Sequence, residues 1–243
     1  MKISAIILAR MGSSRLPGKV LMDLQGKPVL QRVIERCQDS KTKDVIVATP
    51  PTNKENPIWD LCKKLGVEIF KGSENNVMER TYLAAKQFNV DLIIDVTSDC
   101  PLIDPKIIDK LVGYKVDYAS NVIHRAFPAG FDCQVYTFDA FHKLFEMSKT
   151  DDRIITEHSG WNFTKLLKEF THYSLVPFPE YRYPKWRLTL DTRKDYELIN
   201  WLYSVMGEEI WGCRQIIKFL RSNIKDFIAY DSMADQACWA SSH

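Results

Sequence analysis

Residues 3–19 read ISAIILARMGSSRLPGK: an apolar run, Ile3–Ala9, and directly after it a loop with two glycines, two serines and three basic residues. A run so little interrupted suits a strand buried on both faces, as strands are in a parallel sheet sandwiched by helices. Working outward, Val29, Leu30, Val33, Ile34 and Cys37 recur at helical spacing, Asp44–Thr49 is a second strand and Ile58–Leu65 a helix. Val67–Phe70 reads as a short strand, Val77–Phe88 as a helix and Asp91–Val96 as another buried strand. The alternation predicts βαβ units and an α/β fold, with a mostly parallel sheet and helices on both faces.

The second half is less regular. Tyr118–Val122 and Cys133–Phe138 read as strands with a turn at Pro128 and Gly130 between them. Ala140–Met147 and Ile154–Phe170 read as helices, Tyr173–Phe178 and Arg187–Leu190 as strands, and Tyr196–Met206 and Arg214–Leu220 as helices. The ending QACWASSH shows no pattern.

The chain has 243 residues, 33 Lys and Arg against 31 Asp and Glu, and 45% hydrophobic residues. A chain of this size buries roughly 70–75% of its unfolded surface, enough for a core without disulfides or metal. A net charge of +2 lacks the strongly basic face of a nucleic-acid binder. Ile3–Ala9, interrupted by Ser4 and ended by Arg10, is too short for a signal peptide or a membrane span. These features predict a cytoplasmic protein whose partners are small molecules, with no nucleic acid and no membrane. The six cysteines, Cys37, Cys62, Cys100, Cys133, Cys213 and Cys238, show no zinc-site spacing and read as reduced, mostly buried thiols.

In parallel α/β sheets the ligand crevice lies at the carboxyl ends of the strands, so the loop from Ala9 to Lys19 stands where a ligand would. Its composition suits a polyphosphate. Gly12 and Gly18 would let backbone N–H groups approach phosphate oxygens, Ser13 and Ser14 add hydroxyls, and Arg10, Arg15 and Lys19 add positive charge. Three like charges on one short loop repel unless an anion sits among them. With Val20 after Lys19, the loop is not a Walker A motif, nor is it G-x-G-x-x-G. Two acidic stretches stand opposite. In DLIIDVTSDCPLID, Asp91–Asp104, a strand ends at Thr97, Ser98 and Asp99, and an Asp at such an edge is placed to hold a nucleotide's Mg²⁺. In RLTLDTRKDYEL, Arg187–Leu198, Asp191 closes a strand where a helix begins, a position also suited to an ordinary helix cap.

The stretch AIILARMGSSRLPGKVLMDLQGKPVLQRVIERC resembles the opening of the SpsF-like cytidylyltransferase family, related to the acylneuraminate and 3-deoxy-octulosonate cytidylyltransferases. The resemblance extends over about Lys2 to Met206. It implies a Rossmann-like nucleotide-diphospho-sugar transferase fold in one domain spanning 1–243, with 118–178 as an acceptor-binding and dimerisation subregion. It implies that CMP passes from CTP to an acidic, ulosonate-like sugar or a related anionic acceptor, with release of pyrophosphate and Mg²⁺ as the metal, in surface polysaccharide biosynthesis such as that of a spore coat. On this resemblance Arg10, Arg15 and Lys19 are catalytic, and Asp99 and Asp191 are metal ligands. Ala9, Gly12, Ser13, Ser14, Lys27, Arg80 and Thr97 contact the nucleotide. From PAGFDCQVYTF and TEHS, it places Gly130, Asp132, Gln134, Glu157 and His158 at the acceptor. The family's homodimer suggests Ala140–Phe170 as an interface. Asp95 and Ser98 depart from the family pattern, which has Arg and Gly there. The alternatives are a sugar-1-phosphate nucleotidyltransferase or a non-catalytic nucleotide-binding protein.

Overall fold

The computed structural model describes residues 1–223; QACWASSH and Cys238 lie outside the described residues. The chain starts with strand β1 (Ile3–Leu8), a two-residue ribbon β2 (Asp23–Leu24) and β3 (Lys27–Pro28), and helix α1 (Val29–Gln38). There follow β4 (Val45–Thr49), α2 (Asn56–Leu65), β5 (Glu68–Lys71), α3 (Val77–Gln87), β6 (Leu92–Thr97) and α4 (Pro105–Val112). The remainder is β7 (Tyr118–Ser120), β8 (Gln134–Thr137), α5 (Phe138–Met147), α6 (Trp161–Lys165), β9 (His172–Ser174), α7 (Arg193–Met206) and α8 (Cys213–Ser222).

Among the described residues, seven strands form one sheet in the order β5-β4-β1-β6-β8-β7-β9. β1 lies between β4 and β6, parallel to both, and β5 continues the parallel half. β8 runs antiparallel between β6 and β7, so the sheet is mixed, and β9 pairs parallel with β7. Side chains of successive strand residues alternate between faces. Leu92, Ile94 and Val96 therefore pack into one core with α1, α2, α4, α7 and α8. Ile93, with Ile6 and Tyr136, packs into the other, against α3, α5 and α6. Leaving the sheet between β1 and β6, the chain ends both strands at the same edge, Leu8 beside Thr97. That register sets the loop of Arg10 to Lys19 next to Asp99.

Three expectations change. Ile154–Phe170 is not one helix. Asn162, fully buried, accepts from the Ile155 N–H and donates to the Ile155 and His158 carbonyls, tying residues 155–159 into a loop, and only Trp161–Lys165 is helical. Tyr173–Phe178 shrinks to His172–Ser174, since Pro177 and Pro179 lack the N–H a ladder needs. Arg187–Leu190 is no strand of the sheet; it makes a single bridge, Arg187 beside Ala129. Helix α4, capped by the Asp104 side chain with Pro105 in its first turn, went unpredicted despite this start signal. The five cysteines within the described residues are free and buried, and burial pushes the Cys37 and Cys62 thiols up to about 12.

The stretch before Asp191 is held by backbone hydrogen bonds as well as by the buried side chains of Leu188 and Leu190. Ala129 N–H donates to Trp186 O (3.0 Å), Leu188 N–H to Ala129 O (2.7 Å) and Leu190 N–H to Asp99 O (2.8 Å). Gly130 makes this approach possible: its φ is +105°, and a Cβ there would stand 2.4 Å from Leu188 O. Gly130→Ala is therefore expected to cost at least about 2 kcal/mol, read as a lower urea midpoint at unchanged slope. Gly66→Ala, at φ +66° with open space around its Cβ position, should cost only about 1 kcal/mol.

Candidate active site

A cavity of about 630 Å³ opens over the carboxyl ends of β1 and β6 and runs down the face that carries α3 and α6. Of the residues singled out from sequence, it is lined by Ala9, Arg10, Ser13, Ser14, Arg15, Lys19, Arg80, Thr97, Asp99, Gln134, Glu157, His158 and Asp191. Six stretches of chain, spread from Ala9 to Asp191, thus meet on one space.

At its mouth the charges interlock. Lys19 Nζ donates to Asp191 Oδ1 (2.8 Å), Leu190 O (2.8 Å) and Asp99 Oδ2 (3.3 Å). Arg15 lies 3.1 Å from Asp191 Oδ1, and Arg187 bridges Asp191 and Asp195 at 3.3 and 2.6 Å. The anion expected among the loop cations is, in this state, the protein's own pair of carboxylates. Burial alone would lower the Lys19 pKa, but Asp99 and Asp191 hold it above its ordinary value. Burial would raise Asp191, and Lys19, Arg15 and Arg187 outweigh it, holding the carboxyl below its ordinary range.

Asp191 is not the helix cap. Thr192 caps α7 by accepting from the Asp195 N–H, while Asp195 accepts from the N–H groups of Thr192 and Asp191. The Asp191 carboxylate is thereby left to the cavity. Thr97 supports Asp99 by donating from Oγ1 to Oδ1. On the other side, Arg80 is 3% exposed; its guanidinium donates to Ser73 O, while its buried Nε has no partner. Burial, with Arg10 close by, lowers the Arg80 pKa to about 10.

Several expected contacts fall elsewhere. Lys27 does not line the cavity; it pairs with Glu35 (3.2 Å) and Glu208 (2.8 Å). Gly12 is outside the lining, and the Gly18 N–H is taken by Met11 O at 3.0 Å, so Gly18 closes the loop at φ +71° rather than offering a donor. Gly130 carries the backbone approach described above. Asp132 turns to Arg125 (3.1 Å), and burial raises its carboxyl against that attraction. Gln134 lines the cavity and accepts from the Tyr118 hydroxyl at 2.7 Å. Glu157 and His158 stand on the loop before α6, not on a helix. Sequence reading passed over Arg187, Ser159 and Gly160, and gave Asp95 no role. The signal for Asp95 was present, a carboxylate in the otherwise apolar run LIIDV, since a buried charge is costly unless it is bonded.

The cytidylyltransferase family model matches residues 4–211. The chain belongs to the cytidylyltransferase family. It is 31% identical to the spore coat polysaccharide biosynthesis protein SpsF of Bacillus subtilis, over 84% of this chain and 87% of that protein. It is 36% identical to the 3-deoxy-manno-octulosonate cytidylyltransferase of Haemophilus influenzae over 132 residues, 51% of this chain and 50% of that enzyme. Its fold matches the solved structure of a cytidylyltransferase from Leptospira borgpetersenii with a TM-score of 0.85 and 31% identity, covering 93% and 96% of the two chains. The mixed α/β architecture is that of the nucleotidyltransferases, and the chain is a nucleotidyltransferase. No helix among the described residues is long and apolar enough to cross a membrane.

The ion cluster makes stability depend on pH in a signed way. Asp191, depressed in the folded state, contributes stability above its unfolded pKa of about 3.9 that is lost as pH falls through the lower folded value. Lys19, raised in the folded state, contributes stability below about 10.4 that is lost as pH rises through its higher folded value. In chelator-treated protein, the stability gap between wild type and Lys19→Met should be widest from about pH 5 to 9 and narrow at both extremes. Urea titrations across that range check it; a gap independent of pH would contradict the assignment.

Proposed function

We propose that this chain transfers CMP from CTP to an oxygen of an acidic sugar of the ulosonate type, releasing pyrophosphate, in the making of a surface polysaccharide. The observation that carries the reading is the Lys19 ammonium held between Asp99 and Asp191, at the mouth of a cavity that Arg10, Arg15 and Arg80 also line. A cation set for a triphosphate and a carboxylate pair for its metal are adjacent there. The octulosonate enzyme among the relatives supports an acidic sugar, and SpsF supports the polysaccharide setting.

In this reading the acceptor oxygen bonds to the α-phosphorus of CTP. The bond from that phosphorus to the bridging oxygen of the β-phosphate breaks, pyrophosphate leaves with the electron pair, and the hydroxyl proton passes to solvent. The transition state asks for positioning and charge neutralisation more than for covalent help. Arg10, Arg15 and Lys19 meet the charge that grows on pyrophosphate, Lys19 and Arg15 exchanging their carboxylate partners for phosphate oxygens. Ala9, Ser13 and Ser14 border the phosphates, and Arg80 and Thr97 the nucleoside side. Gln134, Glu157 and His158 line the acceptor side.

Among the described residues no three His, Cys, Asp or Glu side chains form a metal cage. Two carboxylates reaching the same ammonium do fit Mg²⁺, which is held by one or two carboxylates and completes its shell with water and substrate phosphates. Asp99 and Asp191 would hold it, and bound Mg²⁺ supplies charge neutralisation and polarisation of the α-phosphate.

The test is pyrophosphate release with each of the four nucleoside triphosphates and Mg²⁺ against a panel of acidic sugars. Turnover with CTP alone is expected, and Asp99→Asn or Asp191→Asn should each lower kcat by about a hundredfold or more. Turnover of a sugar 1-phosphate with UTP or GTP would overturn the reading.

A further inference from the structure

Asp95 is the charged residue of β6 and shares a sheet face with Ile93, facing the cavity where its neighbours on that face pack a core. It is 5% exposed. Three donors converge on its Oδ2: the Ser159 hydroxyl at 2.6 Å, the Gly160 N–H at 3.0 Å and the Tyr136 hydroxyl at 3.1 Å. Oδ1 accepts from no described residue, and Asp95 lines the cavity. Gly160 is shaped to this arrangement: a Cβ there would stand 2.9 Å from Asp95 Oδ2 and 2.8 Å from the Tyr136 ring. A carboxylate is costly to bury unless it is bonded, and here all three protein donors meet one of its two oxygens.

The sheet order says which substrate meets that oxygen. Arg10 and Arg15 leave β1, and Arg80 stands on α3, which packs over β1 and β4. Gln134 on β8 pairs with Asp95 on the edge of β6 away from β1, and Ser159 and Gly160 reach Asp95 itself, from a loop whose Thr156 O accepts from Met78 N–H of α3. With the nucleotide on the cationic β1 side, the acceptor lies on the β8 side. Next to Asp95 stand Gln134, Ser159 and Gly160, and among the described residues no Lys or Arg donates to its carboxylate.

We propose that Asp95 selects the acceptor: the end of the acceptor remote from its reacting hydroxyl presents a hydrogen-bond donor, a hydroxyl or an ammonium, to Asp95 Oδ1, and an anionic group in that place is rejected. This rests on the cytidylyltransferase reading and narrows it, for the acid group of the sugar must then sit elsewhere than against Asp95. An uncompensated second carboxylate beside a buried one is disfavoured more strongly than a missing hydrogen bond.

The experiment is calorimetric titration of the full chain, loaded with Mg²⁺ and a CTP analogue whose α–β bridging oxygen is a methylene so that no turnover occurs. The probes are 3-deoxy-manno-octulosonate and two variants in which the terminal CH₂OH is replaced by CH₂NH₃⁺ or by COO⁻. The hydroxyl and ammonium forms should bind about a hundredfold or more tighter than the carboxylate form. In Asp95→Asn that discrimination should fall at least about tenfold, and the preference for ammonium over hydroxyl should vanish. Unchanged affinity of this variant for the CTP analogue shows that it is folded; should it not fold, the wild-type discrimination stands as the readout. Equal binding of the carboxylate form to wild type, discrimination unaltered in Asp95→Asn, or binding of none of the three probes overturns the proposal. A wild-type chain that does not bind the CTP analogue fails the cytidylyltransferase reading itself.

Discussion

Lys19 Nζ joins stretches of chain 80 and 172 positions apart, at 3.3 Å from Asp99 and 2.8 Å from Asp191. A side chain 11% exposed between two carboxylates cannot lose one partner cheaply, because the charge left behind would be buried and only partly compensated. The loop after β1, the end of β6 and the start of α7 must therefore arrive together. Backbone contacts arrange this before any charge is counted: Leu190 N–H on Asp99 O, and Leu188 N–H on Ala129 O beside Gly130. The ammonium then closes what the backbone has brought near.

The same closure bears on function. Lys19 and Arg15, which would otherwise repel one another, are held in place by Asp99 and Asp191; in the proposed reading a metal would bind those carboxylates and a triphosphate would replace them as partners of the cations. Asp195 takes the N–H groups at the head of α7 and an ion pair with Arg187. This leaves the Asp191 carboxylate oriented but uncommitted to capping, and preorganisation of this kind is what positioning catalysis requires.

Much of this was legible along the chain. Ile3–Ala9, Asp44–Thr49 and Asp91–Val96 announce buried parallel strands by their apolar runs, and the basic loop after the first of them announces an anion site by its place and composition. Asp99 and Asp191 were legible as acids at strand ends opposite that loop. Less legible were features set by contacts between distant residues. Asn162 turns an apparent helix into a loop through hydrogen bonds that no periodicity reveals. Lys27 and Asp132 look available in sequence, yet Glu208 and Arg125 engage them in space. Gly18 reads as a phosphate donor until Met11 O is found on its N–H.

By itself the sequence determined the alternation of strands and helices, the family, and the residue types from which a nucleotide site can be made, since each depends on spacing along the chain and on local chemistry. Only the tertiary structure decided which of those residues share one cavity and which are spent on ion pairs or turns. It also decided that Asp95 lines that cavity with all three of its described donors on one oxygen. Orientation and partnership of this kind come from register across the sheet and from contacts between residues tens to hundreds of positions apart, which no local pattern encodes.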